Sequence, residues 1–134
     1  ALKEKGAKMT VKLNVSGPFH SDLLKGAGEK LEKVLDTIEI NEPQIPYVAN
    51  VNASYITKQE DIKPLLVKQV SSSVRWQQSV ETMVEDGVDT FVELGPGRTL
   101  AGFNKKIGKA IGKELTTYSV GTMEELEAVV AALS

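Results

Sequence analysis

The sequence contains no cysteine and a single histidine. Without cysteine there is no disulfide framework, no thiolate metal site and no cysteine nucleophile. One histidine without a second, and without cysteine, leaves a zinc-type ligand set incomplete. No run approaches the roughly 20 apolar residues of a membrane span, and no signal-peptide apolar region is present. Neither sign of charge dominates: 16 Lys and Arg stand against 18 Asp and Glu, a formal net charge of -2. Nothing global therefore points to nucleic acid or to an anionic membrane. These absences fit a cytoplasmic protein. There is no initiator methionine either. Ala1-Leu2-Lys3-Glu4-Lys5-Gly6 reads as the last turns of a helix closed by Gly6, which suggests a chain that begins inside a larger protein.

What is present is ordinary for a globular domain: 134 residues, 41% hydrophobic and 25% charged, enough for one domain or a large piece of one. Thr10-Val11-Lys12-Leu13-Asn14-Val15 alternates and is β-rich, so it predicts a strand. Ser16-Gly17-Pro18-Phe19-His20 breaks it. A helix is expected from about Ser21, with Leu24, Ala27, Leu31, Val34, Leu35 and Ile38 on one face. Two prolines make residues 41–46 a loop, and residues 46–51 read as a mostly buried strand. The next helix is expected from residue 60 or 61 to 70, begun late so that Pro64 falls in its first turn.

Ser71-Ser72-Ser73 separates that helix from another over residues 74–86, carrying Trp76, Val80, Met83 and Val84 and ended by Gly87. Thr90-Phe91-Val92-Glu93-Leu94 is a predicted strand. Gly95-Pro96-Gly97 then turns the chain into a helix with Leu100, Phe103, Ile107 and Ile111 on one face. A short strand, Tyr118-Ser119-Val120, and a helix over residues 123–133 capped by Thr122 complete the chain. Strands alternate with helices, the pattern of an α/β protein with a mainly parallel sheet.

His20 is the residue with the clearest chemical potential. It follows a strand on a Gly-Pro turn at the mouth of a helix, where α/β proteins place their sites. An imidazole titrating at about 6.5 can serve there as a general base. Position alone equally describes a surface or helix-capping histidine, which is the commoner case. A base needs a nucleophile, and no serine of the chain lies in a G-x-S-x-G elbow. The free N–H groups after Gly95-Pro96-Gly97 could cradle an anion. That segment has neither P-loop nor dinucleotide-binding spacing, and a tight strand-to-helix turn is the simpler account.

The segment Asn14-Val15-Ser16-Gly17-Pro18-Phe19-His20-Ser21 resembles the histidine motif of the malonyl-CoA:acyl carrier protein transacylases. The order of the downstream segments is also similar: Ala49-Asn50-Val51, then Leu66-Val67-Lys68-Gln69-Val70, then Val74-Arg75-Trp76, then Val80-Glu81-Thr82-Met83 and Phe91-Val92-Glu93-Leu94-Gly95-Pro96-Gly97. The match runs from the opening segment to about Ile111. Each piece is loose; the ordered set at these spacings is specific.

The resemblance implies the C-terminal part of such an enzyme. Its fold would be the returning half of an α/β-hydrolase-like parallel-sheet subdomain (residues 13–134), preceded by the tail of a ferredoxin-like insert (residues 1–12). The implied reaction is a ping-pong transfer in fatty acid synthesis. A serine takes malonyl from coenzyme A, and the phosphopantetheine thiol of acyl carrier protein takes it from the serine. His20 matches the family's histidine base, and Gln69 the position whose main-chain carbonyl accepts a hydrogen bond from it. No cofactor is bound permanently; malonyl-CoA is a substrate. The partners implied are acyl carrier protein, the coenzyme A thioester and the N-terminal part of the same enzyme, with no nucleic acid and no membrane.

The elbow serine, the oxyanion donors and the arginine that pairs with malonate lie upstream in the family. This chain is therefore expected to be inactive alone, and to expose a sheet edge and an apolar face. Two alternatives stay open: an acyltransferase domain of a modular fatty acid or polyketide synthase, and a non-catalytic α/β interaction module. Two lysine clusters could meet an acidic carrier protein: Lys3, Lys5, Lys8 and Lys12, favoured because they lead towards His20, and Lys105, Lys106, Lys109 and Lys113.

Overall fold

The computed structural model describes residues 4–10 and 17–134. The expected strand at 10–15 lies, beyond Thr10, outside the described residues. So do Lys3 and Lys12, with residues 1–3 and 11–12 of the supposed insert tail. Glu4 to Gly6 form a turn, with Gly6 at φ +89°.

A 3-10 turn at Asp22–Leu24 leads into α1 (Lys25–Leu35). The expected apolar stripe divides. Gly28 and Leu35 are buried and Leu24 and Leu31 half-buried, whereas Ala27, Val34 and Ile38 face solvent. The buried line faces α2 (Gln59–Ser71). A Cβ on Gly28 would stand 3.3 Å from the Val67 carbonyl oxygen, so the backbones of the two helices approach closely here. Pro64 is not in the first turn of α2, as the sequence suggested, but six residues into it. Its ring forfeits the bond to the Glu60 carbonyl. Both residues are exposed, so water can take that bond's place.

Residues 46–51 do not make one strand. β1 (Tyr47–Ala49) turns back through Ala53, at φ +56°, into β2 (Ser54–Ile56), an antiparallel hairpin with Val48 opposite Tyr55. Ala49 and Ile56 from the hairpin and Ile62 from α2 form a small core, joined by Ile40, Tyr47, Val51 and Leu65. α3 (Trp76–Glu85) is tied to the hairpin at both ends: Arg75 N donates to Asn50 O at 2.9 Å, and Thr82 Oγ1 to Ala53 O at 2.9 Å. Its Val80 is fully buried.

β3 (Thr90–Leu94), α4 (Thr99–Ile111) and β4 (Thr116–Val120) form a parallel β-α-β unit, with Thr90 opposite Thr116 and Leu94 opposite Val120. α5 (Met123–Leu133) comes last, and its Thr122 cap accepts from Glu125 N as expected. The chain is thus α/β. Among the described residues, however, the strands form two separate pairs, one antiparallel, rather than the mainly parallel sheet expected.

Much apolar surface is left open. Leu94 is 75% exposed and Val92 41%, on one face of β3, and α5 buries only Val129. The accessible surface, 10291 Å², is about one and a half times the roughly 6,900 Å² of a compact monomer of this size. An apolar face of this kind matches the expectation drawn from the sequence and marks a surface made to be covered.

Candidate active site

Two segments far apart in sequence build the site. The first is the Gly17-Pro18-Phe19-His20-Ser21 turn. Ser21 Oγ donates to Pro18 O at 2.6 Å, and Leu24 N to Ser21 O at 3.0 Å, which closes the entry to α1. Within it His20 adopts φ +58°, a left-handed conformation that costs any side-chain-bearing residue free energy and often marks a functional position. His20 is exposed. The second segment is the end of α2, where the chain leaves the helix at Gln69 to Ser72.

Packing of α1 on α2 at Gly28 sets these segments side by side. His20 Nδ1 then lies 3.0 Å from the main-chain oxygen of Gln69. A carbonyl can only accept, so Nδ1 carries a proton, and in the neutral ring the lone pair is on Nε2. This is the arrangement that fixes an imidazole tautomer in a catalytic triad, with a peptide oxygen in place of a carboxylate. Nε2 has no hydrogen-bond partner among the described residues. The two residues singled out from the sequence are therefore brought together, at the distance a hydrogen bond requires.

The same carbonyl also accepts from Ser72 N at 3.3 Å, and the Gln69 carboxamide returns a bond from Nε2 to Ser72 O at 3.2 Å. The resemblance gave a part to the main-chain carbonyl of Gln69 alone, not to this side chain. Its signal was faint: a helix end with no glycine between residues 69 and 75 to close it.

Gly95-Pro96-Gly97 is not an anion cradle. Gly95 and Gly97 take positive φ to make the turn, and the helix start beyond it is already filled. Glu93 accepts from Leu100 N at 3.0 Å and Ala101 N at 2.9 Å, with Ser119 Oγ at 3.4 Å. The Ala101 and Leu100 amides, in that order, hold the Glu93 carboxyl below its ordinary value. Among the described residues no three His, Asp or Glu side chains gather to hold a metal, and no helix is long and apolar enough to cross a membrane.

Lys105, Lys109 and Lys113 join Arg98 along a groove of about 840 Å³ between α4 and β4. Arg98 also meets Glu125 at 3.3 Å. Of the other cluster, Lys5 and Lys8 are described, and both are exposed.

No family model matches the chain. It is 42% identical over 131 residues to a malonyl CoA-acyl carrier protein transacylase of Bacillus subtilis, covering 98% of this chain and 40% of that protein. The malonyl CoA-acyl carrier protein transacylase of Clostridium perfringens superposes with a TM-score of 0.86 at 39% identity, again over 98% of this chain and 40% of the other. A malonyl-transacylase solved in complex with its type II PKS acyl-carrier protein superposes equally well, TM-score 0.86 at 38% identity, over 97% of this chain and 41% of that one. The proteins that this chain is similar to are thus malonyl CoA-acyl carrier protein transacylases, in sequence and in structure. The chain spans about 40% of the length of the curated relatives it matches.

Proposed function

We propose that these residues are the base-bearing, C-terminal part of a malonyl-CoA:acyl carrier protein S-malonyltransferase acting in cytoplasmic fatty acid synthesis. Residues 1–12 would end a ferredoxin-like insert, and residues 13–134 would complete the hydrolase-like catalytic subdomain. The observation that carries the reading is the 3.0 Å contact from His20 Nδ1 to the Gln69 carbonyl. It orients a neutral imidazole with one nitrogen free to take a proton.

The chemistry follows from that nitrogen. A serine hydroxyl, supplied by the rest of the protein, gives its proton to His20 Nε2 as its oxygen attacks the malonyl thioester carbon. The C–S bond breaks, the coenzyme A sulfur leaves with the proton from the imidazolium, and malonyl stays on serine as an ester. The phosphopantetheine thiol of acyl carrier protein then gives its proton to the same nitrogen and attacks the ester. The serine oxygen recovers the proton as malonyl departs. Gln69 keeps Nδ1 protonated through both half-reactions. By themselves the 134 residues carry no transfer, because a base without nucleophile and oxyanion donors has nothing to activate.

The test is His20→Ala in the intact protein. Transfer of malonyl to acyl carrier protein should fall by about 10²–10⁴-fold, the usual worth of a general base, with little loss of stability because the turn is exposed. Near-normal transfer would overturn the reading.

A further inference from the structure

We propose that the side chain of Gln69, and not only its main chain, positions the histidine: the carboxamide clips the end of α2 to Ser72 and so fixes which ring nitrogen of His20 carries the proton. The inference rests on the reading of His20 as the general base.

A helix end leaves its last carbonyls without helical partners, and a left-handed glycine usually ties them off. α2 has no such glycine, and its C-cap, Ser72, is extended at φ −113° and ψ 150°. What ties this end is a reciprocal pair. Ser72 N donates to the Gln69 carbonyl at 3.3 Å, and Gln69 Nε2 donates to the Ser72 carbonyl at 3.2 Å. The carbonyl that receives His20 Nδ1 at 3.0 Å is one atom of this closed loop. Its direction is therefore set by the carboxamide as well as by the helix.

Two further observations fit a positioning role. Gln69 Oε1 is buried and is the only such side-chain atom without a partner among the described residues. His20, for its part, sits at φ +58°, a strained backbone position of the kind that clusters at functional sites.

The experiment uses the intact protein and two variants. Gln69→Met keeps the length and the main-chain carbonyl but removes the donor. Gln69→Glu keeps the shape, but a carboxylate cannot donate to Ser72 O. Imidazole nitrogen shifts of ¹⁵N-histidine-labelled protein report the tautomer, with the His20 signal assigned by its loss in His20→Gln. The parent should show the Nδ1–H form. Either variant should show a mixture with Nε2–H, and kcat should fall by about tenfold, the lower end for removing a group that orients a functional side chain. KM for malonyl-CoA should hardly move. Two folded variants with the parent tautomer and parent kcat, differing only in melting temperature, would overturn the inference. If one variant fails to fold, the other decides. Failure here beside an inactive His20→Ala leaves the base reading intact, whereas an active His20→Ala removes that reading whatever the tautomer does.

Discussion

The imidazole of His20 and the main-chain carbonyl of Gln69, 49 residues apart, meet at 3.0 Å. The contact depends on a third residue that touches neither. Gly28, one turn into α1, lets that helix lie close enough to α2 for a Cβ to reach within 3.3 Å of the Val67 carbonyl.

Gly28→Val should therefore act on the site from a distance. Its branched carbons would meet the Val67 backbone oxygen and push α1 away from α2, at a cost of about 1–3 kcal/mol. The His20–Gln69 bond should lengthen, and the malonyl transfer proposed for the intact protein should fall with it. Gly26, with open space around it, provides the control. Gly26→Val should leave the transfer rate unchanged in the same kinetic assay.

Asn104 is a buried polar link of a different kind. It is 2% exposed, accepts from Trp76 Nε1 at 3.0 Å and donates to Thr117 Oγ1 at 3.3 Å, joining α3, α4 and β4. Asn104→Ala would leave the half-buried indole N–H of Trp76 without this partner. Stability should drop by about 1–3 kcal/mol, the cost of an unpaired buried group. Urea unfolding measures it, with an unchanged m-value as the sign that the native fold persists.

Acid should loosen the β3–α4 junction. Glu93 is held below its ordinary value of 4.5, first by the Ala101 amide and then by the Leu100 amide. Glu125 is held below the same value chiefly by the Gly121 amide, with Arg98 adding to it. A depressed carboxyl contributes stability above its unfolded value and loses it as pH falls through its folded value. The urea midpoint should thus be flat above about pH 5 and fall below about pH 4.5. Glu93→Gln should flatten part of that acid limb. Solvent and salt screen both groups, so the limb should be shallow.

The proposed function carries a fourth expectation, on docking of acyl carrier protein. Reversing Lys8 and Lys12 to glutamate should slow the half-reaction with carrier protein, most at low salt, because basic groups near a site speed encounter with an acidic partner. Loading from malonyl-CoA should suffer less. Reversing Lys105 and Lys109, which line the groove beside β4, is the matched comparison. The pair that changes the salt dependence of the association rate identifies the docking side.

Several things were legible in the sequence because local chemistry decides them. The glycine turn after β3, the Thr122 cap, the apolar face of α3, and His20 on a Gly-Pro turn each depend on residues within a few positions of one another, whereas Phe103 on the expected apolar face of α4 is exposed. Long-range geometry decided the rest. The β1–β2 hairpin was missed because its turn uses Ala53 at φ +56°, with no glycine to announce it. Pro64 was placed in a first turn because propensity alone cannot tell that exposure lets a helix tolerate it deeper. Half of the apolar line on α1 faces solvent because periodicity marks a face without saying what covers it.

The sequence by itself determined which residues could act: one imidazole, no thiol, no elbow serine. Only the tertiary structure decided that this imidazole meets the end of α2. A hydrogen bond across 49 residues is made by helix packing, and helix packing is set by the absence of a side chain at Gly28.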